Sequence, residues 1–258
     1  MTTRLVRSFS VGLAAVGFLA LAAPAVQAST ITFNFATDAG ASNGKGTDGN
    51  TRVFTNGGVT LTASAWAYNG SVFNTAALGW WSNAGLGVCN DTEFNRCNSP
   101  EHQVDNEGGW KDFVLFQFSG PLAVDPTSLY VKNYESGDES GNDLDVSYWT
   151  GNISLSNGAG LPSGQLNNDC SGGCSVLERS VSLTSGVAPA LLVGTRYGTG
   201  ADGTNDYFKI QSLVVDGTLV GGGGGSAETA PVPEPASLLL MGTGLTALAA
   251  RIRRRRSA

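Results

Sequence analysis

The sequence predicts an all-β protein, an antiparallel β-sandwich of jelly-roll type with an apolar helix at each end. Three observations predict it. Short runs of alternating apolar and polar residues recur through the middle, bounded by Gly, Asn, Asp and Pro, which is the signature of strands. Between the termini no window repeats apolar residues at i, i+3, i+4 and i+7, as an amphipathic helix would. The 258 residues include 36 glycines, 41% hydrophobic and 14% charged residues, enough apolar material for a sizeable core and a turn-rich path around it.

The first 28 residues are a targeting segment. Arg4 and Arg7 precede an apolar stretch from Val11 to Ala22, and Val26-Gln27-Ala28 places small residues at the −3 and −1 positions. That pattern predicts a signal helix, export across the inner membrane, and signal-peptidase cleavage after Ala28.

Residues 29–219 carry the strands. In ITFNF (31–35), Ile31, Phe33 and Phe35 share a face. In VTLTASAWAY (59–68), Val59, Leu61, Ala63, Ala65 and Ala67 face one way, with Thr60, Thr62, Ser64 and Trp66 opposite. DFVLFQF (112–118) is apolar on both faces, which predicts a strand covered on two sides. The runs 128–134, 144–149, 175–183, 190–197 and 206–217 follow the same pattern. A propeller or β-helix would show an internal repeat, and the chain has none.

Residues 220–231, which hold the glycine run 221–225, form a flexible linker. Residues 232–258 are a second targeting segment: Pro233-Glu234-Pro235, an apolar stretch from Ala236 to Ala250, then RIRRRR, which includes Arg253 and Arg254. Ala236–Ala250 as a helix reaches ~22 Å, short of a ~30 Å hydrocarbon core. The arginines hold their end on the cytoplasmic side, so a brief membrane stay is expected.

This tail resembles the PEP-CTERM sorting signal of Gram-negative bacteria, with triplet, apolar stretch and basic cluster in order. The resemblance implies recognition by an exosortase, cleavage near the triplet and a surface or extracellular destination, often beside exopolysaccharide. The block from HQVDN (102–106) to FVLFQF, followed by the D-x-D strand, also resembles a domain of PEP-CTERM surface proteins, which implies a β-sandwich and no particular activity.

Charge narrows the partners. Residues 29–230 hold eight of the fifteen basic side chains and twenty of the twenty-one acidic ones, a net of −12. So acidic a body repels nucleic acid and anionic lipid and favours cations.

Four cysteines, Cys89, Cys97, Cys170 and Cys174, predict two disulfides in an exported chain. Cys89–Cys97 and Cys170–Cys174 are expected because each closes a local loop. A four-cysteine zinc site is the rival, although neither spacing is the usual C-x₂-C.

Catalytic chemistry has little to work with. His102 is the single histidine, and HExxH, GxSxG and P-loop motifs are absent. Glu93, Glu101, Glu107, Glu135 and Glu139 lie in Gly- and Asn-rich stretches where carboxylates are usually solvated, so a non-enzymatic protein is expected. Asp105 and Asn106 lead into the 112–118 strand, and Asp143 and Asp145 share a face two residues apart. These four oxygen ligands predict a structural Ca²⁺ where the two loops meet. Among the tryptophans, Trp66, Trp80, Trp81, Trp110 and Trp149 are candidate platforms for a polysaccharide. Trp81 is preferred because it and Trp80 face opposite ways. A purely structural or adhesive subunit and an extracellular glycoside hydrolase are the alternatives.

Overall fold

A computed structural model describes residues 28–43, 46–90, 97, 102–106, 109–133, 144–162, 167–169, 178–184, 186–195 and 206–219. The chain divides into two units, Met1–Val220 and Gly221–Ala258. The second lies outside the described residues, as do the expected signal and sorting helices. Among the described residues no helix is long and apolar enough to cross a membrane.

The strands in chain order are β1 (Ser29–Asn34), β2 (Ala41–Ser42), β3 (Thr51–Asn56), β4 (Val59–Tyr68), β5 (Phe73–Thr75), β6 (Ala77–Trp81), β7 (Gly85–Cys89) and β8 (Val104–Asp105). There follow β9 (Lys111–Ser119), β10 (Leu122–Lys132), β11 (Val146–Gly151), β12 (Asn167–Asp169), β13 (Glu178–Ser182), β14 (Ala190–Thr195) and β15 (Tyr207–Leu219). One sheet runs β13-β10-β15-β7-β6, with β1 and β8 also paired to β15. The other runs β12-β11-β14-β9-β4-β3-β2, with β5 on β4. Every pairing is antiparallel. From β9 onward consecutive strands change sheet, except β11 and β12, which pair with each other in one sheet, so the regular alternation of a jelly roll is not met. Likewise, β2–β5 and β6–β8 each stay within one sheet. The fold is accordingly a two-sheet antiparallel sandwich.

Alternation along the strands builds the core between the sheets. Ile31, Phe33, Leu86, Leu129, Val131, Phe208, Ile210, Leu213 and Val215 face Phe54, Leu61, Ala63, Val114, Phe116, Val146, Leu191 and Val193. The loop residue Phe35 stacks on Phe116 at 5.6 Å between centroids and meets Phe54 edge-on at 4.9 Å, both favourable ring geometries.

The predicted two-sided burial of the 112–118 strand has a specific cause. Phe113 and Leu115 point to the opposite face of β9 and join Trp66, Tyr68, Phe73, Trp149, Ile153 and Leu192 in a second apolar cluster. Residues 152–162 cover it. They are pinned to β5 by Phe73 N–H donating to Ala159 O at 2.7 Å and by Gly158 N–H donating to Phe73 O at 2.8 Å.

Two backbone devices set the register. Asn56 pairs with Val59 across Gly57-Gly58, whose φ values of 55° and 80° make a two-residue hairpin loop that glycine permits. At the edge of the first sheet, Asn50 stands in for a missing strand. Its Oδ1 accepts from Leu78 N–H at 2.6 Å, and its Nδ2 donates to Leu78 O at 2.9 Å. Gly49 N–H donates to Ala76 O at 3.0 Å beside it. This satisfies part of an edge that would otherwise invite pairing with another chain.

Candidate functional site

The loops at strand ends are where a sandwich can vary its chemistry without disturbing its core. One such end carries a pocket of about 350 Å³ lined by Asp48, Ala67, Asn74, Thr75, Trp110 and Asn157. Each wall has a local reason. Asp48 sits in the turn that closes with Asn50 N–H on Thr47 O and is tied to the first sheet through Gly49 and Asn50. Asn74 and Thr75 lie on β5, opposite Ala67 and Trp66 of β4. Asn157 belongs to the segment that covers the second cluster, and its Oδ1 accepts from Thr75 N–H at 2.8 Å. That bond fixes which way the amide faces and leaves its Nδ2 to donate. Trp110 enters just before β9, half-buried against the main core. The pocket thus sets one indole beside a carboxylate, two carboxamides and a hydroxyl.

The other tryptophans are differently employed. Trp66 and Trp149 are 8% and 4% exposed and belong to the second cluster, so neither is a surface platform. Trp80 packs against the main core and donates from Nε1 to Phe35 O at 2.6 Å, with the buried Arg52 guanidinium 6.0 Å from its ring. Burial pushes the Arg52 pKa down.

Trp81 points the other way, as strand parity requires. Its ring lies over Gly79 and Gly87; a Cβ would fall 2.2 Å from the ring at Gly79 and 3.1 Å at Gly87. The Lys209 Nζ sits 3.7 Å from its centroid and donates to His102 O at 2.9 Å. Lys209 is fully buried, and desolvation pushes its pKa down to about 7. The expected ligand platform is thus engaged by the protein itself, as the wall of a buried amine.

The two loops expected to share a Ca²⁺ do converge, through a residue that sequence reasoning missed. Asp206 Oδ2 accepts from Asn106 Nδ2 at 3.0 Å, Asp206 N–H donates to Asn106 Oδ1 at 3.0 Å, and Asp206 Oδ1 accepts from Asp145 N–H at 3.1 Å. Asp105 lies alongside on β8, paired with Tyr207. Asp143 lies outside the described residues. Among the described residues no group of three or more His, Cys, Asp or Glu side chains is arranged to hold a metal. Asn106 and Asp145 are thus both hydrogen-bonded to Asp206, through its carboxylate and its backbone N–H. No local pattern links position 206 to position 145, so only the fold reveals it.

Cys89 and Cys97 form a disulfide with a Cα–Cα distance of 5.6 Å. Both sulfurs are thereby consumed, which removes the four-cysteine zinc alternative. Cys170 and Cys174 lie outside the described residues. Ala28 is exposed, and β1 begins at the next residue, Ser29.

Comparison with known proteins locates one family feature. Residues 231–255 match the family model of the PEP-CTERM protein-sorting motif. Pro233, Glu234, Pro235, Arg253 and Arg254 all fall within that match. No curated protein and no solved structure matches the chain. The motif implies exosortase processing during export and a cell-surface or extracellular destination. A β-sandwich body followed by this tail makes the chain a PEP-CTERM domain-containing protein.

Proposed function

We propose that the exported body is a carbohydrate-binding module that holds a neutral polysaccharide at the Trp110 pocket. The observation that carries this reading is the lining itself. A pyranose offers a C–H face that packs on an aromatic ring and a hydroxyl edge that needs donors and acceptors. Trp110 supplies the ring, and Asp48, Asn74, Thr75 and Asn157 supply the polar partners. The net charge of −12 over residues 29–230 disfavours an anionic polymer. Asp48 is the one carboxylate among the lining residues, whereas glycoside hydrolysis ordinarily needs a flanking pair. That supports binding without turnover.

The test is calorimetric titration of the exported protein with neutral exopolysaccharide from the exporting cells, alongside Trp110→Ala. Wild type binds, and the variant, with its melting temperature retained, loses at least ~10-fold in affinity, the effect of about 1.4 kcal/mol. No binding by wild type, or equal binding by the folded variant, defeats the proposal.

A further inference from the structure

A second pocket of about 360 Å³ opens on the outer side of the β11-containing sheet. It is lined by Trp149, Thr150, Asn152, Ser154, Leu155 and Leu161 and their neighbours from residues 149–162. It shares a wall element with the first. Asn157 lines the Trp110 pocket and Gly160 lines this one. Three residues of backbone span at most ~11 Å, so the two pockets flank one short turn. That turn is not loose. It is fastened at both ends to β5, through Thr75 N–H to Asn157 Oδ1 and through Phe73 N–H to Ala159 O. The second pocket is lined by polar and aliphatic groups, with no carboxylate. Exposed Asn152 and Ser154 supply hydrogen-bonding groups, and half-buried Leu155, Leu161 and Pro162 supply an apolar floor.

Resting on the reading of the Trp110 pocket as a glycan site, we infer that the 149–162 segment forms an adjoining subsite, so that the ligand is a linear neutral oligosaccharide gripped along its length across the Asn157–Gly160 turn. A chain held at two points makes its second contact intramolecularly, so affinity climbs with length until both pockets are filled and then levels. A single sugar fills only one pocket. The site therefore selects chains long enough to span both pockets over free sugars, which suits a protein displayed at a surface.

The probe is a partial hydrolysate of the neutral exopolysaccharide of the exporting cells, size-fractionated from monosaccharide upward and titrated into the exported protein. The expected result is a rise of ~100-fold from the shortest binding fragment to the plateau, the gain typical of linking two weak contacts. The exposed double variant Asn152→Ala, Ser154→Ala removes the rise. Length-independent binding that Trp110→Ala still abolishes overturns this inference and leaves the single-pocket reading standing. A length-dependent rise that the double variant keeps also overturns it, because the extra contact then lies elsewhere. Absence of binding at every length overturns both.

Discussion

Asn50 gives the sharpest test of how the two sheets are joined. Its side chain is 3% exposed and occupies both backbone groups of Leu78. In Asn50→Ala a buried N–H and a buried C=O lose their partners together. Each such loss costs about 1–3 kcal/mol, so the variant should unfold about 2–6 kcal/mol more easily. Asn50→Asp separates the two bonds. An aspartate still accepts from Leu78 N–H, but its second oxygen meets Leu78 O where a donor is needed. Protonation supplies that donor, so the folded state raises this carboxyl's pKa above its unfolded value of ~3.9. A raised folded pKa means that the native state holds the extra proton, and stability is gained as pH falls. The deficit of Asn50→Asp should therefore be largest at pH 7 and shrink toward pH 4, while that of Asn50→Ala stays level. Urea denaturation of wild type and both variants across pH 4–7 measures this. A loss below about 1 kcal/mol for Asn50→Ala, or identical pH profiles for the two variants, refutes the clamp.

Lys209→Met should change how stability responds to alkali. The wild-type amine is lowered from 10.5 to about 7 in the fold, so between those values the unfolded chain holds one more proton, and stability rises by up to ~1.4 kcal/mol per pH unit. The variant should lack that slope when urea midpoints are compared from pH 7 to 9, and parallel profiles would count against it. Removal of the Cys89–Cys97 bond by Cys97→Ser closes no loop in the unfolded chain and should cost about 2.5 kcal/mol in the loop-entropy account, read by chemical denaturation; an unchanged midpoint contradicts it. The structural Ca²⁺ expected from Asp105, Asn106, Asp143 and Asp145 is tested by differential scanning calorimetry with and without EDTA. A bound ion gives a lower melting temperature in EDTA, and coincident traces eliminate it.

The strands with β-branched and large apolar residues were legible because their alternation is strong. VTLTASAWAY matches β4 residue for residue, and the two-sided run 112–118 lies inside β9. Glycine hid others. ALGWW and GLGVC form β6 and β7, yet Gly79 and Gly87 contribute no side chain to the pattern, because the Trp81 ring occupies that space. Pro126 hid the first half of β10. The strand runs through it from Leu122, and the register slips between Pro126 and Ser128 to accommodate the ring. At the pocket, tryptophan identity was readable but tryptophan exposure was not. The covering segment 152–162 decides that Trp66 and Trp149 are interior, and it carries too few apolar residues in any period to announce itself as a lid. Trp110 stays accessible because it precedes its strand instead of lying within it.

The order of the strands constrains the order of events during export. Of all the described strands, β15 has the most neighbours: β10 along one side, and β1, β7 and β8 along the other. It is also the last of the described strands, and it ends at Leu219, with the sorting motif starting at residue 231. Until it crosses, the β6–β7 and β10–β13 pairs and the isolated β1 have nothing to bring them into one sheet. The sandwich can therefore close only when the chain through β15 has been translocated. Completion of the fold and presentation of the tail to its processing enzyme fall within the same short stretch of chain, so a molecule stalled or truncated before residue 207 offers neither a finished body nor a sorting signal.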